Sequence, residues 1–325
     1  MPIVHHRRPS LASYAFWLGA WLFLKPLLTF APINRFTLGV LKRFERSAER
    51  QRPPRGVAIE RIVLGGRPTE LVMVAGPTGS DTDTAVLYLH GGAFMSCGPG
   101  THRSITASLA KGLALPVFAV DYRQLPEAGV GASVDDSMRA YRELLGERGF
   151  SHVVVAGDSA GGFLTAKVAE RAAAENLPAP VALGLLSPLL DLDLGARPDR
   201  TSRHDAYLPI RQLDVLGPMF DWGPVPLAGA RTIADVDPAV FPPTIVITAQ
   251  QEMVEPDGIE LAQALDAAGR RVVLHSYPGQ VHAFTVVLRH REGKESVRLL
   301  VDFLADAIRD AHREVSEPEH RDEAG

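Results

Sequence analysis

Cysteine is almost absent from this chain: Cys97 is the only one in 325 residues. No intrachain disulfide can form, and a structural zinc site built on several cysteines is excluded. A basic excess is missing too. Lys and Arg number 34 against 38 Asp and Glu, a formal net charge of −4, so the electrostatic footprint of a nucleic-acid binder is lacking. The N-terminal apolar run "LASYAFWLGAWLFLKPLLTFAPI" (11–33) is broken at Lys25-Pro26. That leaves about 14 continuous apolar residues where a membrane span needs roughly 20. No A-x-A cleavage pattern follows it, and no internal repeat is evident. What is present is an ordinary globular composition, 46% hydrophobic and 22% charged, long enough to bury a large core.

The N-terminal run follows the basic "HHRRPS" and precedes "RFTLGVLKRFERSAER", an amphipathic helix pattern with Phe36, Val40 and Phe44 spaced by four. The expectation is a pair of soluble helices packed on the core of a cytoplasmic protein. The alternatives are peripheral membrane contact through residues 11–31 and a true span or signal segment.

A Pro-rich and charged break, "QRPPRG" (51–56), separates residues 1–55 from the rest. The period then changes to two. "VAIERIVLGG" and "TELVMVAG" predict an antiparallel strand pair. Strands and helices alternate afterwards: strand 85–90, helix 103–113, strand "PVFAVDY", helix 132–148, strand "HVVVAG", helix 160–175, strand "VALGLLS". This rhythm predicts βαβ units and a mostly parallel α/β sheet. It falters over 195–238, rich in Pro and Gly, where a short helix pair near 210–222 is expected. It returns over 239–313 with strand 243–249, helix 257–268, strand 271–277 and helix 294–313. Residues 314–325 are expected to be a polar, disordered tail.

The chemistry centres on "VVVAGDSAGG" (153–162). A buried strand runs into Gly157-Asp158-Ser159-Ala160-Gly161, which matches G-x-S-x-G between a strand and a helix. A serine on such a corner is held in a strained conformation with Oγ clear of the sheet. The following helix points its N-terminus at the site, so the Ala160 amide can help hold an oxyanion. A second donor is expected from "LYLHGGAF" (87–94), where Gly91 and Gly92 follow a strand. His90 precedes that pair and is expected to be structural.

A serine needs a base, and the base needs an acid. Among eleven histidines, His282 in the loop "YPGQVHAF" is the candidate. His204, His275, His290, His312 and His320 also lie downstream, with His275 inside a strand and His290 and His312 expected at exposed helix ends. The acid is sought in "TAQQEMVEPDG". Glu252 comes soonest after the strand. Asp257 is the alternative acid, or a helix cap, and Glu255 is expected as a solvated loop charge. No motif calls for a metal or an organic cofactor.

Together these pieces resemble the hormone-sensitive-lipase-like esterases of the α/β-hydrolase fold. The similarity runs in family order through "HGGAF" (90–94), "VDYRQLPE" (120–127), "GDSAGG" (157–162), "LLSPLLDL" (185–192), "ITAQQEMVEPDG" (247–258) and "GQVHAF" (279–284), covering roughly residues 57 to 312. The resemblance implies an α/β-hydrolase core (56–194 and 239–313), with residues 1–55 and 195–238 forming a helical cap. It implies Ser159 as nucleophile, His282 as base, and the backbone of Gly91, Gly92 and Ala160 as oxyanion hole, in a serine carboxylesterase acting on small-molecule esters of short to medium acyl chains. Two features depart from the family pattern. Glu252 stands where Asp is usual, and "AGVGASVDDS" replaces a more aromatic, Pro-rich run after "VDYRQLPE". Asp121, Tyr122, Arg123 and Asp158 are expected to support the oxyanion loop, while Cys97 and His102 follow it. An acyltransferase would use the same acyl-enzyme, and a membrane-associated lipase the same triad. A non-catalytic ligand-binding relative would be expected to lack one of the three.

Overall fold

The structure is a computed structural model that describes residues 3–76, 82–193, 200, 203–287 and 290–316. Its frame is a nine-stranded sheet in the order β1-β9-β8-β7-β6-β4-β5-β3-β2. The strands are β1 (Ile3–His5), β2 (Val57–Leu64), β3 (Arg67–Val74), β4 (Thr84–Leu89), β5 (Val117–Val120), β6 (His152–Asp158), β7 (Leu183–Leu186), β8 (Thr244–Ala249) and β9 (Val272–Tyr277). β2 and β3 pair antiparallel, as their alternating pattern predicts, and β3 joins β5 antiparallel. From β5 to β9 all neighbouring strands are parallel. The edge strand β1 pairs parallel with β9. Three residues with only Ile and Val as apolar content carry no periodic signal, so β1 is not evident from sequence.

The central strands are buried on both faces because helices cover both. In β4, Ala85, Leu87 and Leu89 enter one core cluster, while Val86 and Tyr88 enter the other. The helices are α1 (Leu11–Phe30), α2 (Arg35–Glu49), α3 (Arg103–Leu113), α4 (Val130–Leu145), α5 (Ala160–Ala174), α6 (Ile210–Leu216), α7 (Glu255–Ala267) and α8 (Arg291–Ser316). Apart from the pair near 210–222, the helices expected from sequence are present, with ends shifted by a few residues. α8 runs to Ser316, three residues into the expected tail, and the rest of that tail lies outside the described residues. Of the 195–238 segment, residues 195–199, 201 and 202 also lie outside them; a short α6 and a 3₁₀ turn at Gly217–Met219 occupy the place of the expected helix pair.

The N-terminal run departs from expectation twice. Lys25-Pro26 does not end the helix. A π-turn at Ala20–Leu24, with the Lys25 amide donating to the Ala20 carbonyl, absorbs the proline and lets α1 continue to Phe30. The helix also buries little of itself: Leu11, Phe23 and Phe30 are 89%, 76% and 77% exposed. α2 forms as predicted, yet Phe36 and Val40 face solvent and Leu38 is buried. Arg103 fixes the C-terminal end of α2. Its guanidinium pairs with buried Glu70 and donates to the carbonyls of Ala48, Glu49 and Gln51.

Candidate active site

Ser159 sits between β6 and α5 at φ 51° and ψ −119°, a conformation that side-chain-bearing residues avoid and that stores roughly 1–3 kcal/mol of strain. The flanking residues allow that corner. A Cβ at Gly161 would lie 1.9 Å from the Leu89 carbonyl oxygen, and one at Gly157 would lie 2.4 Å from the Gly161 carbonyl oxygen. Only glycine lets three backbone segments approach this closely. The Ser159 amide donates to the Leu186 carbonyl, tying the corner to β7.

His282 reaches the corner from the loop after β9. Its Nε2 is 2.8 Å from Ser159 Oγ, and its Nδ1 is 2.7 Å from Glu252 Oε2. Glu252 follows β8, and its other oxygen accepts the Ala249 amide at 2.9 Å. Both members of the pair are buried, at 4% exposure each. Burial alone would lower the His282 pKa. The Glu252 hydrogen bond and charge, with Asp205 and Asp158 nearby, outweigh it and hold the imidazole above its ordinary value of 6.5. Glutamate, where the family usually has aspartate, thus spans from the turn after β8 to the imidazole.

Two further carboxylates near β8 behave unlike the sequence expectations. Asp257 neither contacts the imidazole nor caps a helix end. It lies inside the first turn of α7, where it accepts the Leu190 amide at 2.8 Å and pairs with buried Arg200. Glu255 is not a solvated loop charge. It opens α7, is 8% exposed, and accepts the Ser276 hydroxyl at 2.7 Å. Packing across the sheet, invisible in local sequence, sets both. His290 is likewise buried, and its Nδ1 accepts the Gly293 amide at the start of α8. His275 meets His6 of the N-terminal segment at 3.0 Å. His204 and His312 are exposed, and His320 lies outside the described residues.

The glycine pair after β4 divides its work. The Gly91 amide, one of the three donors implied by the resemblance, turns inward and donates to Asp158 Oδ1 at 3.1 Å. It is therefore committed to the protein. Gly92 has φ 123°, and the turn it makes places the Ser96 carbonyl 1.9 Å from where a Cβ would be. Among the described residues, the amides of Gly92, Ala93 and Ala160 have no protein acceptor. Ala93 carries no sequence signal of its own, and its free amide is one that the motifs do not mark.

Asp158 is the hub beneath this loop. Besides the Gly91 amide it accepts the Tyr88 hydroxyl at 2.7 Å and lies 3.2 Å from His102 Nε2. Burial opposes its charge, but His102 and the Tyr88 hydroxyl hold its carboxyl below the usual range. His102 lies within this network, 5% exposed. His90 stacks on Tyr122 at a centroid distance of 4.3 Å, and its Nδ1–H donates to the Gly91 carbonyl at 2.8 Å. Burial pushes its pKa down to about 3, so it stays neutral. The Tyr122 hydroxyl donates to the His90 carbonyl at 2.6 Å. Arg123 pairs with Asp135 and Asp136 on α4, and the Asp121 carbonyl accepts from Arg67. Burial pushes the Cys97 thiol up to about 11, so it stays protonated.

Sequence reading also misses Tyr207, Asp205 and Ser187. The Tyr207 hydroxyl donates to the His282 carbonyl at 3.1 Å, the Asp205 carboxylate accepts the Met253 amide at 2.9 Å, and the Ser187 hydroxyl accepts the Ala283 amide at 3.0 Å. All three brace the loops that carry His282 and Glu252. No motif marks them, since their partners are backbone groups distant in sequence.

A mostly parallel sheet with a strained serine between β6 and α5, and a histidine and carboxylate on the loops after β9 and β8, defines an α/β hydrolase. The alpha/beta hydrolase fold family profile matches residues 86–286. The carboxylesterase/phospholipase LipF of Mycobacterium tuberculosis is 32% identical over 93% of this chain and 84% of its own length. The esterase LipU of the same organism is 34% identical over 76% of this chain and 86% of its own. A hormone-sensitive lipase from a metagenome library superposes with a TM-score of 0.79 at 27% identity, covering 93% of this chain and all of that one. The chain belongs to the α/β-hydrolase fold family, in its hormone-sensitive-lipase-like esterase branch.

Proposed function

We propose that the protein is a serine carboxylesterase that hydrolyses carboxylic esters of short to medium acyl chains through an acyl-enzyme on Ser159. The observation that carries this is the continuous relay from Glu252 through His282 to Ser159, at 2.7 and 2.8 Å. The names of the relatives, carboxylesterase and esterase, support the same chemistry.

In this mechanism Ser159 Oγ attacks the ester carbonyl as His282 Nε2 takes its proton. Glu252 fixes the tautomer that presents Nε2 and stabilises the imidazolium. The amides of Gly92, Ala93 and Ala160 receive the oxyanion, aided by the N-terminus of α5. The alcohol leaves with the proton from His282. Water then attacks the acyl carbonyl, giving its proton to His282, and the carboxylic acid departs as Ser159 regains a proton. Residues 203–238, α2 and the half-buried side of α1, opposite the exposed Phe23 and Leu27, would form the cap over the acyl group. The test is a p-nitrophenyl ester panel from two to sixteen carbons, run with wild type and Ser159→Ala. The expected result is turnover highest at the short and middle lengths, and a loss of roughly 10⁴-fold or more in Ser159→Ala. Unchanged turnover in that variant overturns the mechanism, and a maximum at sixteen carbons overturns the chain-length preference.

A further inference from the structure

α1 is built inside out for a helix of a water-soluble protein. Apart from Ala20 and half-buried Trp17, which pack on the core, the groups that attach it are polar. Ser10 and Ser13 donate to buried Glu292, at 3.0 and 2.8 Å. Lys25 donates to the Asp205 carbonyl at 2.9 Å, and the Gln212 amide donates to the carbonyls of Leu28, Thr29 and Ala31. The large apolar side chains face outward instead: Leu11, Tyr14, Phe23, Leu27 and Phe30 are each more than half exposed, and Phe36 continues the face onto α2 at 78%. Exposed apolar area on this scale marks an interaction surface. Two of the chain's three tryptophans, Trp17 and Trp21, stack on this helix.

Charge decides what covers it. The first 44 residues hold six Lys and Arg and no Asp or Glu, while the remaining chain holds 28 against 38. Arg7, Arg8 and Arg43 at the borders of the face are exposed. A second copy docking isologously would bring two such stretches of like charge together. An anionic lipid surface complements both the apolar face and its basic borders. At 20 residues the helix is long enough to cross a bilayer, but crossing would strip Lys25, Ser10 and Ser13 of their anchors.

We propose that α1 is an interfacial docking helix that lies in the headgroup layer of anionic membranes, and that the natural substrates are esters held in that layer. This rests on the esterase reading above. The link to the site is direct. The segment pinned to α1 holds Asp205, bonded to the amide of Met253 beside Glu252, and Tyr207, bonded to the carbonyl of His282. Docking would therefore bear on the segment that braces the catalytic loops.

The experiment sediments the full chain with phosphatidylglycerol-containing vesicles and with phosphatidylcholine vesicles. Hydrolysis of soluble p-nitrophenyl acetate and of a vesicle-embedded lipid ester whose scissile acyl group is of medium length is measured in parallel. The expected results are pelleting that favours the anionic vesicles and falls with salt, and its loss in Phe23→Glu/Leu27→Glu. That variant should keep wild-type turnover of the soluble ester while losing on the order of tenfold on the embedded one. Arg7→Gln/Arg8→Gln should weaken binding to the anionic vesicles by about tenfold or more and leave soluble turnover unchanged. Wild-type protein that does not pellet, or a Phe23→Glu/Leu27→Glu variant that still does, overturns the proposal. A stable dimer by sedimentation velocity without vesicle binding overturns it in favour of self-association. Failure of soluble turnover in wild type would instead count against the esterase reading, while pelleting still tests the docking surface.

Discussion

The amide of Gly91 donates to the carboxylate of Asp158 at 3.1 Å, so the residue beside the nucleophile holds the loop that carries the free amides of Gly92 and Ala93. Two segments of distant sequence are locked together at the point where the oxyanion would form. Asp158→Ala would leave the Gly91 amide, the Tyr88 hydroxyl and His102 buried without their acceptor. The expected outcome is a fall in kcat of about tenfold to a hundredfold, with destabilisation of about 2–4 kcal/mol. Ester kinetics and thermal unfolding measure both. Wild-type kcat in a stable variant would show that the loop needs no such support.

The Glu252–His282 pair gives a pH dependence whose sign follows from its geometry. His282 must be neutral to take the serine proton, so activity is lost as pH falls through its pKa. Glu252 and the neighbouring acids hold that value above 6.5, so the acid limb of kcat/KM should have its midpoint above 6.5. Glu252→Gln removes the charge and leaves burial, which moves the limb to lower pH while kcat falls by roughly 10⁴-fold. Glu252→Asp, shorter by one methylene, should retain more activity than Glu252→Gln. A pH profile of both variants against wild type measures this, and an acid limb unmoved in Glu252→Gln would detach Glu252 from the base.

The close approach at Gly161 predicts a stability effect apart from chemistry. In Gly161→Ala the new methyl would meet the Leu89 carbonyl at 1.9 Å, and backbone of both segments must move. Destabilisation of at least about 2 kcal/mol is expected, measured by urea unfolding. A wild-type midpoint would mean that the elbow is looser than its geometry indicates.

Tyr207 offers a milder test of loop bracing. Tyr207→Phe deletes only the hydroxyl that donates to the His282 carbonyl. A fall in kcat of about threefold to tenfold is expected, with KM nearly unchanged. A KM effect alone would place Tyr207 in substrate binding.

The parts of this site that sequence displays are those that depend on local backbone. Gly157 and Gly161 around Ser159, the glycine pair after β4, and the order of serine, acid and histidine are all visible in short stretches. What it hides depends on packing across the sheet. Glu255 and Asp257 look like loop and cap charges until β9 and Arg200 are seen against them. His290 looks exposed until its bond to Gly293 is in place. The inward turn of Gly91 is hidden for the same reason, since its partner lies 67 residues away. At the N-terminus, Lys25-Pro26 reads as a break, and only the preceding π-turn shows how α1 passes through it.

The central claim is that Ser159 carries the acyl group. Wild-type protein mixed with p-nitrophenyl acetate, quenched during turnover and analysed by intact and peptide mass spectrometry, tests it directly. The account predicts a gain of one acetyl group on the peptide containing Ser159, absent in Ser159→Ala and forming in His282→Ala orders of magnitude more slowly than in wild type. An acetyl group that forms and is lost at the rate of turnover on another side chain, or full turnover by Ser159→Ala, would contradict it.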